Sequence, residues 1–321
     1  MTTEPKEIAS LLGGGADLGQ RDVANAHTPL PAARIASWVV TVVVAAYLAW
    51  SIANNVNFGW PVVARYFFDP NVISGLYVSL GLTVVAMAIG IALGLLLAIA
   101  RLSKNRLAST LASLFIWFFR GTPLLVQLIF WYNLSTLFPT LSIGIPFGPT
   151  FVSWDTNSVI SPMTAAIAGL ALNESAYMAE IIRGGLLSVN EGQFETAAAF
   201  GMTRLRALRR IIIPQAMRSI VPPTGNQLIS MIKATSLVSV IAMADLLYSV
   251  QSIYNRTFEV VPLLLVAVIW YLLITSVLNI GQGYIERYYS RGDRRTGAEK
   301  PAKEALATTA PASDAAQEAG R

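Results

Sequence analysis

Charged residues are absent from four long stretches of the chain, residues 35–64, 70–100, 121–154 and 260–285. Each stretch can hold the roughly 20 apolar residues that a helix needs to cross the hydrocarbon core of a bilayer. The surface helices of a soluble protein would carry a polar face, and these stretches have none. The pattern therefore predicts an all-α, polytopic helical membrane protein.

The apolar segments predict about six membrane-spanning helices, near residues 35–52, 72–100, 107–134, 161–182, 223–246 and 261–284. The third is interrupted by Arg120-Gly121-Thr122-Pro123. Because proline removes a helical hydrogen bond and clashes with the preceding turn, we expect the first part of this segment to lie partly along the membrane interface. Residues 1–33 and 288–321 lack an apolar period and are predicted to be disordered tails.

Basic residues predict the orientation, because cytoplasmic loops carry an excess of lysine and arginine. They cluster between spans two and three, between spans four and five, and after span six: Arg101, Lys104, Arg106, Arg204, Arg206, Arg209, Arg210, Arg218, Arg287, Arg291, Arg294 and Arg295. The opposite side keeps only Arg65 and Arg256. Both termini and the 183–222 loop are thus predicted to be cytoplasmic. External loops are expected at residues 54–71, 135–160 and 249–260.

Composition narrows the possible chemistry. Only 13% of the residues are charged, against about 25% in soluble proteins. There is no cysteine, which excludes disulfides, thiol catalysis and cysteine-ligated metals. The single histidine, His27, lies in the N-terminal tail, where we expect it to be solvated. The net charge of +5 does not indicate a nucleic-acid partner, because the basic residues flank apolar spans.

The loop between spans four and five has the pattern of two short helices. Asn190 and Gln193 have the spacing of a capping box, and Gly201 suits a helix stop in the left-handed conformation. Thr203 is predicted to cap a second, basic helix that ends at Pro214. Such a pair of helices would form a compact peg. Two interpretations stay open, a peg that docks into a partner protein and an amphipathic hairpin that lies on anionic lipid.

The same loop resembles the EAA loop of ABC importer permeases, in the pattern Glu195-Thr-Ala-Ala-x-x-Gly201 followed by Pro214. Further motifs are similar to the polar amino-acid permease subfamily: Phe119-Arg-Gly-Thr-Pro-Leu-Leu-Val-Gln127, Asn173-Glu-Ser-Ala-Tyr-Met-Ala-Glu180, Arg183-Gly-Gly185, Gly192-Gln193, Pro214-Gln-Ala-Met-Arg218, Pro222-Pro223, Gly225-Asn226-Gln227 and Lys233-Ala-Thr-Ser-Leu237. Thr196 and Ala234 depart from the family pattern, where alanine and a polar residue such as aspartate are usual.

The resemblance implies a type I ABC importer transmembrane domain over residues 72–287, with a coupling loop at 190–214. Residues 34–71 would add an N-terminal span and an external loop to the five-helix core. The implied partners are an ABC ATPase subunit, an extracytoplasmic solute-binding protein and a second permease copy or paralogue. The substrate would be a polar or charged amino acid, carried across the bacterial cytoplasmic (inner) membrane.

Energy is expected to come from the partner. The chain contains no Gly-x-x-x-x-Gly-Lys-Ser/Thr phosphate loop, so ATP would be bound by the ATPase subunit. The chain itself is then neither an enzyme nor the holder of a cofactor. The expected ATPase-coupling residues are Glu195, Ala197, Ala198 and Gly201.

Polar residues at membrane depth are expensive and are therefore candidate functional residues. The predicted substrate pathway comprises Arg120, Asn173, Glu174, Tyr177, Glu180, Asn226, Lys233, Thr235 and Ser236. Glu174 and Lys233 could bind the ammonium and carboxylate groups of an amino acid. The alternative is that these charges pair with each other or with Arg120 and only hold helices together. Glu180 and Arg183 have the spacing of a local pair.

Two other classes of protein compete with the importer. A secondary transporter or channel driven by an ion gradient would explain charges inside the membrane, and it predicts internal repeats, of which we find no convincing example. A structural scaffold would not explain so many intramembrane polar residues. A secondary transporter would also leave the loop at residues 190–214 unexplained.

Overall fold

A computed structural model describes residues 32–145 and 149–289 of the 321-residue chain. It divides into two units, Met1–Val56 and Asn57–Arg321. The predicted tails lie almost wholly outside the described residues. In the first unit, helix α1 spans Ala32–Asn54 and is long and apolar enough to cross a membrane, as predicted for span one.

The second unit is mainly helical. Its elements are α2 (Trp60–Tyr66), α3 (Pro70–Arg101), α4 (Arg106–Gly121), α5 (Leu124–Tyr132), α6 (Leu134–Leu137), β1 (Thr140–Gly144), β2 (Thr150–Asp155), α7 (Thr156–Val159), α8 (Pro162–Leu187), α9 (Gly192–Ala199), α10 (Arg204–Ala207), α11 (Ile213–Ala234), α12 (Leu246–Thr257) and α13 (Val260–Tyr289). A π-helical turn, Leu208–Ile212, joins α10 to α11, and a 3-10 segment, Thr235–Ile241, follows α11.

The count of membrane-spanning helices agrees with about six. Among the described residues, α1, α3 and α13 pass as single spans, and two bent pairs could each form one more. The first pair is α4 with α5, and the second is the continuous helix 204–241 with α12. Helix α8 has 26 residues, so it is about 39 Å long and can also span. Its polar residues keep its hydropathy below that of the other spans.

The third predicted span is not one helix. Helices α4 and α5 meet at an angle of 103°, and Thr122 and Pro123 between them are extended. The expected interruption at this motif is therefore a sharp bend. The backbone turns here because proline disfavours a helical conformation at the residue before it.

The fifth predicted span, residues 223–246, differs from the structure at both ends, because the continuous helix runs from Arg204 to Ile241. Pro214 does not end the second helix of the peg, because it lies in the first turn of α11, where proline is tolerated. The helix then passes through Pro222 and Pro223 and becomes 3-10 at Thr235. The external loop expected near residues 249–260 is mostly helix α12.

The all-α prediction also missed a small antiparallel hairpin of β1 and β2 in the 135–160 connection. Residues 54–71, another expected loop, contain helix α2 and the start of α3.

Close approach of α3 and α8 forms the centre of the second unit. A Cβ added at Gly90 would lie 2.8 Å from Cγ of Glu174, and one at Gly94 would lie 2.6 Å from Cβ of Met178. Small residues let membrane helices approach in this way, because van der Waals packing drives helix association in lipid. Leu82, Leu128 and other buried side chains extend this core toward α5 and α11.

Candidate functional site

The peg, which we define as residues 190–214, contains a helix stop of the Schellman type. Gly201 has a φ of 67°, in the left-handed region. The amide of Met202 donates to the carbonyl of Ala197 at 3.0 Å, and the amide of Gly201 donates to that of Ala198 at 2.9 Å. Both bonds satisfy carbonyls that a helix end leaves open. The predicted helix stop at Gly201 is confirmed.

The start of the peg differs from the prediction. Asn190 Oδ1 accepts a bond from the amide of Gly192 at 2.8 Å, as in an Asx turn. The expected capping box does not form, because Gln193 Oε1 accepts from Gln215 Nε2 at 3.2 Å. That bond ties α9 to α11. Thr203 precedes α10 as expected, but its side chain makes no capping hydrogen bond.

The two helices of the peg pack through alanines and leave larger side chains outside. Ala197 and Ala207 are buried, and a small side chain on each helix allows close approach. Glu195 and Ala198 are exposed. The phenylalanine at the turn, Phe200, is 81% exposed. Leu205 is 75% and Phe194 46% exposed, so the end of the peg is apolar and uncovered by the described residues.

One continuous helix connects the peg to the interior of the second unit. It runs from Arg204 to Ile241, so Lys233 lies about 44 Å from its start. Asn226, Ser230 and Lys233 are exposed on this helix at spacings of four and three residues, and we call them the polar face of α11.

The hydroxyls near the end of α11 bond to the backbone instead of projecting a free donor. Thr235 is buried and donates to the carbonyl of Ile232, while Ser236 donates to that of Lys233. Both bonds satisfy carbonyls of the preceding helical turn.

Glu174 is buried and faces α11. Gln227 Nε2 donates to both of its carboxylate oxygens at 3.3 Å. Gly90 covers its aliphatic part. Within the described residues, no ion pair joins Glu174, Lys233 and Arg120 to one another, so the alternative of a pairing among these charges has no support in this structure.

Glu180 lies one helical turn beyond Tyr177 and contacts two arginines. Its Oε2 accepts from Arg183 at 2.8 Å, which confirms the local pair, and its Oε1 lies 3.6 Å from Arg101 Nε. The guanidinium of Arg120 lies 5.4 Å from the ring centre of Tyr177. A cleft of about 450 Å³ opens here, lined by Arg101, Ser113, Ile116, Trp117, Arg120, Gly121, Tyr177 and Glu180.

Asn173 lies on α8, like Glu174 and Glu180, and its side chain forms hydrogen bonds to residues at the bend between α4 and α5. Its Nδ2 donates to the carbonyl of Phe119 at 2.9 Å and to Gln127 Oε1 at 3.2 Å. Gln127 Nε2 in turn lies 3.1 Å from the carbonyls of Phe119 and Thr122 and 2.7 Å from the Thr122 hydroxyl. The two amides satisfy backbone groups that the bend leaves open inside the membrane, where such groups cost several kcal/mol.

Four polar residues of the second unit that were not among the predicted site residues make interior hydrogen bonds. Gln127, Asp245 and Gln282 are buried, and Gln227 is half-buried. Asp245 accepts from the amides of Leu247 and Tyr248, which caps α12, and this could have been predicted from an aspartate before an apolar run. Gln282 donates to the carbonyl of Pro222 at 2.7 Å and fits against Gly225. It holds α13 against the proline pair of α11.

The second unit thus defines a multi-pass membrane protein that carries a peg outside its spans and polar groups within them. Residues 90–291 match the family model described as "Binding-protein-dependent transport system inner membrane component". The chain belongs to this family, because the match covers more than half of its length. It is a transport permease by family, in agreement with the resemblance of its motifs.

Curated relatives and a solved structure agree with this assignment. The chain is 44% identical to the arginine transport system permease protein ArgU of Corynebacterium glutamicum over 81% of this chain and 82% of that one. It is 36% identical to the L-cystine transport system permease protein TcyB of Bacillus subtilis, over 72% and 92%. For the glutamine transport system permease protein GlnP of Escherichia coli the identity is 34%, over 71% and 94%.

Among solved structures, a chain from a "crystal structure of an amino acid ABC transporter with histidines" matches with a TM-score of 0.60 and 36% identity. The match covers 70% of this chain and 97% of that one. The expected fold class is therefore confirmed.

Proposed function

We propose that this chain is the permease subunit of an ABC importer that carries a polar or charged amino acid across the bacterial cytoplasmic membrane. A separate ATPase subunit would supply the energy, and the chain would bind no ATP or other cofactor. The similarity to permeases named for arginine, cystine and glutamine transport supports the substrate class.

The observation that carries the proposal is the surface of the peg. Phe194, Phe200 and Leu205 are exposed at a site that follows the end of α8 rather than lying within a span. Clustered apolar side chains of this kind mark an interaction surface. One helix, residues 204–241, joins the peg to Lys233. A partner that moved the peg would therefore also move the part of this helix that lies among the membrane-spanning helices.

The four expected coupling residues would contribute in two ways. Glu195 and Ala198 are exposed and would contact the ATPase. Ala197 is buried, so it would act by letting the two helices pack, and Gly201 would act by permitting the left-handed turn. Docking thus depends on the shape of the peg as well as on its surface.

The substrate pathway would follow the polar face of α11 and the cleft beside Arg120 and Tyr177. An exposed lysine in a membrane helix is stable only beside water or polar groups, so Lys233 would face the pathway. Glu174 would shape the wall through Gln227, while Asn173, Thr235 and Ser236 would hold the surrounding backbone.

The remaining partners and the topology follow from the same proposal. An extracytoplasmic solute-binding protein would deliver the amino acid, and a second permease copy or a paralogue would complete the pathway. Both termini and the peg would be cytoplasmic, with residues 72–287 as the transport core and residues 34–71 as an added N-terminal span and external loop. The tails at 1–33 and 288–321 stay predictions.

A cross-linking experiment tests the docking, because the chain has no cysteine of its own. A benzophenone maleimide on Ala198→Cys, activated in membranes that contain the whole transporter, should yield an adduct with an ATP-hydrolysing subunit. Asn157→Cys, in α7 just before the start of α8, is the matched control and should yield none. Equal adducts from both positions, or no ATPase adduct from Ala198→Cys, would contradict the proposal.

A further inference from the structure

The hairpin of β1 and β2, which we call the outer hairpin, has one apolar and one polar face. Leu141 lies opposite Trp154, and Ile143 lies opposite Val152. The intervening pairs are Thr140 with Asp155 and Ser142 with Ser153. Because side chains alternate between the two faces of a strand, the four apolar residues share one face.

The rest of the described chain leaves most of the apolar face uncovered, and only Leu141 is half-buried. Ile143 is 62% exposed, Val152 46% and Trp154 45%. Phe151 is 67% exposed as well, but the irregularity in the strand pairing leaves it without a partner residue, so the alternation does not assign it to this face. An isolated two-stranded hairpin is marginally stable in water at best, so this face needs an apolar surrounding.

The hairpin is fixed at one end of the membrane helices. Thr156 is buried at its base, where its amide donates to the carbonyl of Pro139 at 3.0 Å and its hydroxyl donates to that of Phe138. Helix α8 begins six residues later, at Pro162. The hairpin and the peg therefore flank opposite ends of α8, about 39 Å apart along its axis.

The exposed apolar surface continues from the hairpin onto both neighbouring segments. Leu137 is 58% and Phe138 55% exposed just before β1, and Phe130 is 49% exposed on α5. On the other side, Val159 and Met163 are exposed at the end of α7 and the start of α8. The hairpin thus extends the surface that the flanking membrane helices present to lipid.

The scarcity of charged residues favours lipid over a soluble protein as the partner that covers the apolar face of the outer hairpin. Asp155 is the only charged residue between Arg120 and Glu174, and it lies on the polar face. Interfaces with soluble partners are typically as polar as the rest of the surface and have a polar rim. The aromatic residues of the hairpin instead suit the boundary between headgroups and acyl chains.

We propose that the apolar face of the outer hairpin inserts into the bilayer leaflet at this end of α8, while its polar face points to water. The hairpin is then a monotopic β-element that anchors the connection between α5 and α8. Contact does not depend on anionic lipid, because the segment carries no basic residue. The proposal requires only that the chain spans a bilayer, and it does not depend on the energy source of transport.

Neighbouring positions on the two faces provide the test, again because the chain lacks cysteine. The full chain, as Ile143→Cys or as Ser142→Cys, is labelled with an environment-sensitive fluorophore and reconstituted into phosphatidylcholine vesicles. We expect lipids with a shallow spin label to quench the label of Ile143→Cys several-fold more than that of Ser142→Cys. Aqueous iodide should give the opposite order.

A second pair, Val152→Cys and Ser153→Cys, keeps the test decisive if one variant does not fold. Equal access of iodide to both faces would overturn the proposal. A second combination of results would also overturn it: spin-labelled lipid quenches the Ile143→Cys label only weakly, and a soluble binding protein shields that label from iodide. No ATP or substrate is needed, so failure here is distinguishable from failure of the proposed transport function.

Discussion

The peg and the bundle of membrane-spanning helices in the second unit differ in which side chains they expose and which they bury. The peg leaves Phe200 and Leu205 exposed outside the spans, whereas the bundle buries Gln127, Glu174 and Gln282 within them. Exposed apolar groups in water require a partner, and buried polar groups in lipid require internal hydrogen bonds. In the proposed function the ATPase subunit would cover the apolar end of the peg, while most polar groups of the bundle already have hydrogen-bond partners within the chain.

The intramembrane polar residues fall into two groups, those with hydrogen-bond partners inside the chain and those that are exposed. Asn173, Thr235 and Ser236 bond to the backbone, and Glu174 bonds to Gln227. Lys233 is exposed and makes no ion pair with any described residue. The first group would hold the helices in place, and Lys233 is the stronger candidate for contact with substrate.

The largest expected effect is on the bend in the bundle. Gln127→Leu would leave the carbonyls of Phe119 and Thr122 and the amide of Asn173 without this partner. Since a buried unsatisfied group costs about 1–3 kcal/mol, we expect the free energy of unfolding to fall by about 2–4 kcal/mol. Urea unfolding in detergent micelles measures the change.

The exposed Gln193 offers the matched control for this variant. Gln193→Leu should lower the free energy of unfolding by less than about 1 kcal/mol, because its one side-chain bond, from Gln215, is exposed to water and leaves no buried group unsatisfied. Equal effects of the two variants would mean that the amide of Gln127 does not hold the bend.

The next effect is on the peg. Removing a large apolar side chain that a partner buries costs about 1.5–3 kcal/mol, so Phe200→Ala should weaken ATPase binding by about 10- to 100-fold. Titration of labelled ATPase subunit onto reconstituted permease measures the affinity. Phe258→Ala, at a phenylalanine that is 85% exposed outside the peg, should leave the affinity unchanged. Loss of affinity in both variants, or in neither, contradicts a specific docking surface.

The turn of the peg should be sensitive to the backbone conformation at Gly201. A left-handed residue with a side chain costs about 1–2 kcal/mol, and a β-branched one is a genuine outlier. Gly201→Val should therefore insert normally but hydrolyse ATP without matching uptake. Asparagine tolerates this conformation, so Gly201→Asn should keep most of the coupling. Normal transport by Gly201→Val would contradict the role of the turn.

The smallest effect distinguishes Lys233 from Glu174. Lys233→Met should raise the KM for amino-acid uptake by about tenfold, which corresponds to about 1.4 kcal/mol, without loss of stability. Glu174→Gln keeps the shape of the side chain beside Gln227 and should change KM less. Uptake measured with the assembled transporter decides this. If both variants keep wild-type affinity and selectivity, neither residue contacts the substrate.

Local patterns in the sequence predicted features that depend on a few neighbouring residues. The stop at Gly201 and the pair of Glu180 with Arg183 are such features. The approximate number of spans followed from apolar length alone. The coupling roles came from resemblance and the pathway roles from the expected depth of polar residues in the membrane, and both stay predictions.

Features that depend on distant residues could not be predicted in this way. Gln127 bonds Asn173 across 46 positions, and Gln282 bonds the carbonyl of Pro222 across 60. Pro214 resembled a helix end, and residue 223 was taken as the start of the fifth span. Pro214 lies in the first turn of α11, and Pro222 and Pro223 lie inside that helix, where α13 supports the carbonyl of Pro222. The strands of the outer hairpin are short and were counted as loop.

Uptake into proteoliposomes is the decisive test of ATP-driven import by this permease. The permease is reconstituted with the ATPase and binding protein that co-purify with it, and entry of labelled amino acid is measured with ATP or with an imposed ion gradient. We predict uptake that requires ATP and the ATPase subunit and that needs no gradient. Uptake driven by an ion gradient by the permease alone would contradict the account and would favour a secondary transporter.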